Sequence, residues 1–245
     1  MHSNISNIAS LLGEPSRANM LTALLDGRFH TAGELAHAAS ITPQTASFHL
    51  ARLTEQGWVS MEKHGRYRYY RLAGSDTAHK LEQFLVICPV PEVRSLKQSQ
   101  QMDRLRYGRT CYDHLAGQIG VSLTEALVQQ GQLLAHNGNG AFEVSESGLE
   151  LFTTIGLDVS QLRRKRRAFA HACLDWSERK HHLGGALGHG LLQLCLDRGW
   201  IERMSGIRAI IVTADGQQAF RHYFDLVLEP ADSPDKYRPE YTRRL

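Results

Sequence analysis

Residues 42–72 read TPQTASFHLARLTEQGWVSMEKHGRYRYYRL, and this stretch decides the fold of the first part of the chain. Thr42-Pro43 predicts a helix start, because threonine caps helix N-termini and proline suits the first helical position. Ala46, Leu50 and Leu53 recur at helical spacing and predict a buried stripe on a helix that ends near Gln56, before Gly57. The opposite face is expected to carry side chains that can form hydrogen bonds: Gln44, Thr45, Ser47, His49 and Arg52.

A β-hairpin is predicted directly after this helix. Two β-rich runs, 58–62 and 67–72, flank the polar residues 63–66. The stretch 63–71 contains no carboxylate and carries the cations Lys63, Arg66, Arg68 and Arg71. Upstream, apolar periodicity predicts helices over 3–12, from Glu14 to Gly27, and over 32–39. Helix, helix, turn, helix and hairpin in this order predict a winged helix-turn-helix over residues 1–87.

The composition of the helix and the hairpin suits duplex DNA. Side chains that donate and accept hydrogen bonds at short range read base edges in the major groove, and fixed cations beside the groove contact phosphates. A polar helix face or a basic hairpin is usually only solvated when it occurs alone, but here the two follow each other directly. We therefore predict DNA contacts at Thr42, Gln44, Thr45, Ser47, His49, Arg52, Lys63, Arg66 and Arg68.

Two short motifs resemble the ArsR/SmtB repressors of arsenical resistance and metal sensing. LLGEPSR at 11–17 resembles the family signature before its second helix, and SFHLARL at 47–53 resembles its recognition helix. The resemblance covers about residues 5–87. It implies a homodimer, paired through the first helix and the helix over 76–87, and repression relieved by an inducer. The usual metal positions of the family are not matched. Residues 31–40 contain no cysteine. The helix after the hairpin matches the family's other metal motif only in part, with Asp76, His79 and Glu82.

Composition and charge limit the classes of partner and the cellular compartment that the chain could have. The 245 residues carry a formal net charge of +3, too little by itself to indicate a nucleic-acid partner. The chain shows no leader and no apolar stretch of membrane-spanning length, and its cysteines, Cys88, Cys111, Cys173 and Cys195, lie far apart. We expect a cytoplasmic protein with no membrane partner.

The second half contains an internal repeat. Comparing 114–152 with 182–220 without gaps gives eleven identities in thirty-nine positions, where chance gives roughly two to four. The residues that recur 68 positions later are His114, Leu115, Gly117, Gly120, Leu123, Gly131, Gly138, Ala141, Val144, Gly148 and Phe152. Upstream of His114 the register slips by six residues, because Cys111 pairs most naturally with Cys173.

The repeats predict the organisation of the chain after residue 87. We expect a linker and connecting helix over 88–113, repeats over 114–158 and 159–228, and a polar, disordered tail over 229–245. Each repeat is expected to contain a helix, a second helix ending at Gly131 or Gly199, a strand, a turn at Gly138 or Gly206, a strand and a short helix. The predicted fold class is mainly α with small β-hairpins (α+β), a winged helix-turn-helix followed by two tandem winged-helix-like repeats.

The repeats also concentrate residues that could receive a signal. Cys111 and His114, three apart, are expected on one helical face, and the matching stretch offers Cys173 and His182. The predicted sensor residues are Cys111, Tyr112, Asp113, His114, Cys173, Asp175, Trp176 and His182. Three explanations stay open: buried packing residues, a small-molecule pocket between the repeats, and a metal or thiol sensor.

The metal explanation names Cys111, His114, Cys173 and His182 as ligands. Two thiols and two imidazoles suit a soft or borderline ion such as zinc, nickel or copper(I). The same residues also allow an enzyme with a cysteine nucleophile, although the sequence has no nucleophile elbow, phosphate-binding glycine loop or metalloprotease pattern. The favoured prediction is a DNA-binding repressor, not an enzyme, controlled by a ligand, metal or thiol signal in its C-terminal half.

Overall fold

The computed structural model describes residues 5–88, 96–135, 140–205 and 207–228. The chain divides into two compact units. The N-terminal unit comprises residues 1–87 together with 110–113, and the C-terminal unit comprises residues 88–109 and 114–245. The predicted tail over 229–245 and the turns at Gly138 and Gly206 lie outside the described residues.

The N-terminal unit has the order of elements that the sequence predicts. Its helices are α1 (Ile5–Leu12), α2 (Pro15–Ala23), α3 (Ala32–Ala39), α4 (Pro43–Glu55) and α5 (Ser75–Ile87), and its strands are β1 (His30–Thr31), β2 (Val59–His64) and β3 (Tyr67–Leu72). The strands form one antiparallel sheet in the order β1-β3-β2. The hairpin β2–β3 is the predicted wing, with a shorter turn than expected because His64 still pairs with Tyr67.

Side-chain caps fix where these helices begin. The Glu14 carboxylate accepts hydrogen bonds from the backbone N–H of Ser16 and Arg17 at 3.2 and 2.8 Å. Thr31 and Glu34 form a reciprocal capping box at the start of α3, and the Thr42 hydroxyl accepts from Thr45 N at 3.2 Å at the start of α4. The apolar faces of α2, α3 and α4 then pack with the sheet in one core.

The C-terminal half alternates short hairpins with helices. Its helices are α6 (Leu96–Tyr107), α7 (Gly117–Gln129), α8 (Glu146–Thr154), α9 (Val159–Arg163), α10 (Gly185–Asp197) and α11 (Ala214–Phe224). Its strands pair as β4 (Arg109–Cys111) with β5 (His114–Ala116), β6 (Leu133–Ala135) with β7 (Phe142–Val144), β8 (His171–Leu174) with β9 (His181–Gly184), and β10 (Ile201–Arg203) with β11 (Ile210–Val212).

The offset of 68 residues recurs in these bounds. Helices α7 and α10 differ by 68 at both ends, and so do β6 and β10, and β7 and β11. The packing is reciprocal, since α7 contacts β9 while α10 contacts β5. The six-residue slip is also visible, because two residues separate Cys111 from His114 and eight separate Cys173 from His182.

One detail of the predicted repeat is wrong. The first element is a hairpin rather than a helix, so Cys111 and His114 lie on strands and do not share a helical face. The boundary predicted between residues 113 and 114 coincides with one of the divisions between the two compact units, within the hairpin β4–β5. Strands of three residues carry too little periodicity to be recognised in the sequence.

Close backbone approaches explain why glycine recurs in α7 and α10. A Cβ atom at Gly120 would lie 2.5 Å from the carbonyl oxygen of Leu115, and one at Gly188 would meet the carbonyl oxygen of Leu183 still more closely. The helices therefore rest directly on the strand that precedes each of them. Among the described residues, no helix is both long enough and apolar enough to cross a bilayer.

Candidate functional site

The exposed face of α4 is polar, as the sequence predicts. Gln44, Thr45, Ser47 and Arg52 are all exposed. Thr42 is exposed too, but its hydroxyl is engaged as the helix cap and lies 2.9 Å from the Thr45 hydroxyl. The Ser47 hydroxyl donates to the Pro43 carbonyl oxygen at 2.8 Å. Gln44 and Arg52 have the longest of these polar side chains.

His49 does not lie on this face, so its predicted exposure is wrong. Its side chain is buried, with 8% of the residue exposed; Nδ1 lies 3.2 Å from an Arg17 guanidinium nitrogen and Nε2 lies 3.5 Å from a Glu14 carboxylate oxygen. Positions 46, 49, 50 and 53 follow the spacing of one helix face, so periodicity places His49 in the buried stripe. Residue type alone was misleading here.

Phe48 takes the exposed place instead, and the sequence prediction missed it. The residue is 60% exposed, and the Arg52 guanidinium lies 5.7 Å from its ring centroid. An exposed aromatic ring beside an arginine offers an apolar surface and a cation together, a combination that fits the methyl groups of bases and the phosphates beside them.

The wing presents its cations to solvent. Lys63, Arg66 and Arg68 are exposed, and the Arg66 guanidinium stacks 5.1 Å from the Tyr67 ring and donates to the Tyr67 hydroxyl at 2.9 Å. Arg71 differs, because it lies 3.5 Å from a Glu62 carboxylate oxygen and 4.6 Å from the Phe29 ring. The cationic end of the hairpin is therefore formed by the three predicted residues.

The four predicted metal ligands, which form the Cys/His group, come together in the structure. One ligand atom from each of Cys111, His114, Cys173 and His182 can be chosen so that all four lie within 4.8 Å of one another. Cys173 and His182 face each other across β8 and β9, and Cys111 and His114 flank the two-residue turn between β4 and β5. The exposed fractions are 2% for Cys111, 6% for His114, 1% for Cys173 and 0% for His182.

The two imidazoles face each other directly. Nε2 of His114 lies 3.1 Å from Nε2 of His182, and both rings are buried. Among the described residues, these four are the histidine, cysteine or acidic side chains that lie close enough together to hold a metal ion. Asp76, His79 and Glu82 do not form such a group. All four cysteines are thiols rather than disulfides.

Asp175 organises the polar residues around His182. One carboxylate oxygen accepts from an Arg109 guanidinium nitrogen at 2.9 Å, and the other accepts from Gly117 N at 2.7 Å and lies 3.2 Å from His182 Nδ1. Burial raises the pKa of Asp175, but the contacts with His182 and Arg109 outweigh it, and the pKa lies well below its usual range. Asp175 is therefore an ionised carboxylate within the core.

Comparisons with known proteins assign the chain to a class. Residues 12–60 match a family described as a helix-turn-helix domain. The uncharacterized HTH-type transcriptional regulator YdfF of Bacillus subtilis (strain 168) is 52% identical over 226 residues, covering 92% of this chain and 99% of that protein. The chain belongs to the HTH-type transcriptional regulators. The predicted winged helix-turn-helix is confirmed, and the regulator is a DNA-binding protein.

Solved structures align with about a third of the regulator. The homodimeric winged helix-turn-helix domain of Mb0332 from Mycobacterium bovis, described as a possible ArsR-family regulator, is 28% identical, covers 34% of the regulator and 76% of its own chain, and has a TM-score of 0.32. The cadmium sensor CMTR from Mycobacterium tuberculosis is 30% identical, covers 37% and 93%, and has a TM-score of 0.30.

The other predicted sensor residues of the regulator have different surroundings. Tyr112, at a left-handed φ of 57°, belongs to the N-terminal unit, where its N–H donates to the Leu25 carbonyl oxygen at 3.1 Å. Asp113 follows it in the turn and is half-buried. Trp176 stacks 4.5 Å from the Arg109 guanidinium and so packs against the Asp175 network. None of these three supplies an atom to the Cys/His group.

One small cavity and one open cleft of the C-terminal unit are lined by residues other than the predicted sensor residues. Between α7 and α10 of the regulator, a cavity lined by Leu115, Leu123, Leu183 and Leu191 has a volume of about 10 Å³, too small for more than one water molecule. An open cleft of about 380 Å³ lies beside α9 and α10 and is lined by Asp158, Gln161, Lys165, His189 and Arg198 among others. No predicted sensor residue lines that cleft.

Proposed function

We propose that the regulator is a homodimeric repressor that binds a near-palindromic operator and whose DNA binding is controlled by a signal received in its C-terminal half. Each protomer places α4 in a major groove and the wing beside it, so the two copies of α4 lie about one helical turn, ~34 Å, apart. The observation that carries this proposal is the exposed polar face of α4 followed directly by the cationic wing.

The DNA contacts proposed from this surface separate into two groups. Gln44, Thr45, Ser47 and Arg52, with Phe48 added, read base edges, because they are exposed on one helix. Lys63, Arg66 and Arg68 contact phosphates, because they are exposed cations on the adjoining hairpin. Thr42 contributes as the cap that fixes the start of α4.

Exposed apolar side chains support the homodimer. Ile8 on α1 is 45% exposed, and Phe84 and Ile87 on α5 are 42% and 77% exposed. These are the two helices through which the ArsR/SmtB resemblance implies pairing. Large apolar side chains exposed on surface helices are stabilised when a second copy covers them.

The burial of the Cys/His group favours control over catalysis. No residue of the group is more than 6% exposed, and the cavity beside β5 and β9 has room for about one water molecule. A nucleophilic thiol needs access for its substrate, which this packing does not give. We therefore propose that the regulator is not an enzyme and that the Cys/His group has a sensory role.

DNA binding by variants of α4 tests this proposal. Fluorescence anisotropy would compare a duplex from the regulator's own promoter with a scrambled duplex of equal length. Gln44→Ala and Ser47→Ala should each weaken promoter binding by about 1–3 kcal/mol and leave scrambled-duplex binding nearly unchanged. Arg221→Ala, which removes an exposed cation of α11, is the control. Equal losses of affinity for both duplexes would contradict base reading. A wild-type protein that binds neither duplex at low salt would contradict the whole proposal.

A further inference from the structure

We propose that Cys111, His114, Cys173 and His182 form a buried tetrahedral site for a thiophilic divalent ion of the zinc type, and that this ion is the signal that changes DNA affinity. The first part concerns the hairpins β4–β5 and β8–β9 alone, whereas the second part rests on the proposed function. The position differs from the cysteine and histidine positions on α3 and α5 that the sequence resemblance would suggest.

The ligand set and its spacing fit a zinc-type ion. Four ligands in a tetrahedron, at metal–ligand bonds of about 2.0–2.3 Å, lie about 3.3–3.8 Å from one another. The observed ligand atoms lie within 4.8 Å, and the two Nε2 atoms are 3.1 Å apart. Side-chain movements of about 1 Å are therefore sufficient to form the tetrahedron. Two thiolates and two imidazoles also complete the coordination of Zn(II) without water, as in structural or regulatory sites rather than catalytic ones.

Asp175 holds one of the ligands in the orientation that binding needs. Its carboxylate lies 3.2 Å from Nδ1 of His182, while Nε2 of the same ring points at His114. An ionised carboxylate beside Nδ1 favours the tautomer of the neutral ring that carries its proton on that nitrogen. That tautomer leaves the lone pair of His182 on Nε2, towards the other ligands. Arg109 and the Gly117 N–H hold the carboxylate itself at 2.9 and 2.7 Å. Asp175 is thus a positioning residue.

One of the four ligands, Cys111, belongs to the same compact unit as the DNA-binding helix α4. Cys111 is followed by Tyr112, whose N–H donates to the Leu25 carbonyl oxygen at 3.1 Å. The Tyr112 carbonyl packs so closely on Gly27 that a Cβ atom there would lie 2.7 Å from its oxygen. Leu25 belongs to the buried core that also holds α4. A shift of Cys111 on metal binding would therefore move Tyr112 and change its contacts with the turn that ends with Gly27.

Metal binding by the reduced, full-length protein tests the first part. We expect one Zn(II) per chain after gel filtration, and a Co(II) derivative with intense visible d–d bands and a sulfur-to-cobalt charge-transfer band. Cys111→Ser, Cys173→Ser and His182→Gln should each lose stoichiometric Zn(II) and the tetrahedral Co(II) spectrum. The matched controls Cys88→Ser and His181→Gln remove an exposed thiol and an exposed imidazole, and should keep both.

Asp175→Asn separates positioning from coordination. This variant should keep the tetrahedral Co(II) spectrum but bind Zn(II) about 10–100-fold more weakly. Zn(II) should raise the melting temperature of the wild-type protein and of both controls, which keeps the test valid where a ligand variant is poorly folded. A wild-type protein that is folded and reduced but binds no Zn(II), or that forms a Cys111–Cys173 disulfide in preference to binding it, would overturn the metal site.

DNA binding with and without the ion tests the second part. Apo and Zn(II)-loaded wild-type protein should differ in promoter affinity by about 5–150-fold, and Cys173→Ser should show no difference. If Zn(II) binds stoichiometrically and promoter affinity does not change, the ion is not the signal. If neither form binds the promoter while Zn(II) still binds, the proposed function fails and the metal site stands.

Discussion

Arg109 shows at the scale of one residue how the C-terminal core depends on a satisfied charge. Its side chain and that of Asp175 are both 0% exposed and lie 2.9 Å apart. Arg109→Met should lower the free energy of unfolding by about 3–5 kcal/mol, because it leaves a buried carboxylate without its cationic partner.

Urea unfolding followed by tryptophan fluorescence measures this loss. Trp176 is a suitable reporter, since its ring lies 4.5 Å from the guanidinium. Arg221→Met, at an exposed position, should stay within about 0.5 kcal/mol of wild type. A loss of that small size at Arg109 would show that the ion pair does not stabilise the fold.

Asp26 gives the N-terminal unit a dependence on acid. Burial raises the pKa of its carboxyl, but hydrogen bonds from His30 and from the Arg28 N–H outweigh it, so the folded-state pKa is lowered. The stabilisation is therefore present above the unfolded-state pKa of about 3.9 and is lost as pH falls towards the folded-state pKa.

Comparing wild type with Asp26→Asn isolates this contribution. The variant should be less stable at neutral pH by about 1–3 kcal/mol, because charge-assisted hydrogen bonds are lost. Its free energy of unfolding should also fall less steeply than that of wild type between about pH 5 and pH 3. Parallel curves for the two proteins in this range would contradict the assignment.

At the scale of elements, the wing is expected to contribute salt dependence rather than sequence preference. Arg66→Ala and Arg68→Ala should weaken binding to promoter and scrambled duplexes alike, and each should reduce the slope of log K against log salt by about 1. Titrations at several salt concentrations measure that slope. An unchanged slope in both variants would place the wing away from the phosphates.

Helical glycines provide a second test at this scale. Alanine usually stabilises a helix relative to glycine by about 1 kcal/mol. Gly120→Ala should instead destabilise by about 1–3 kcal/mol, because its Cβ would lie 2.5 Å from the Leu115 carbonyl oxygen. Gly33→Ala on α3 is the matched control, since its nearest neighbour would be 3.9 Å away. Thermal unfolding should show opposite signs for the two variants, and equal signs would refute the close approach of α7 to β5.

Elements differ in how far their sequence reveals them. Thr42-Pro43 and the apolar spacing of 46, 50 and 53 predict α4 well, because a cap and a periodic face act within a few residues. The hairpin β4–β5 was missed because its two strands have three residues each. His49 was predicted to be exposed because its side chain is polar, although its position on the helix indicates burial. Only the structure shows that its ring contacts Arg17 and Glu14.

At the scale of the whole molecule, the proposed homodimer predicts a concentration-dependent mass. Phe84→Asp should raise the dimer dissociation constant about 100-fold, since a two-fold interface loses about 1.5 kcal/mol of apolar burial twice. Sedimentation equilibrium measures this constant. Val227→Asp, which changes an exposed apolar residue of the C-terminal unit, should leave it unchanged. A wild-type protein that is monomeric at all concentrations would remove the dimer from the proposal.

The convergence of the four Cys/His residues is the feature of the whole chain that the sequence revealed best. Comparing the repeats suggested that Cys111 corresponds to Cys173 and His114 to His182, and the structure brings these pairs within 4.8 Å. The network around Asp175 was not predicted in the same detail. Arg109 and Ser177 carry no pattern that links them to Asp175, and only tertiary packing brings their donors to one carboxylate.

The division of the Cys/His group between two hairpins has a consequence for how the group assembles. The hairpin β4–β5 supplies one thiol and one imidazole, and the hairpin β8–β9 supplies the other thiol and imidazole. A molecule with only one such hairpin could complete the set only by associating with a second copy of itself. Because both hairpins belong to one chain, the set forms at any protein concentration, and its two halves can differ, as the six extra residues between Cys173 and His182 show.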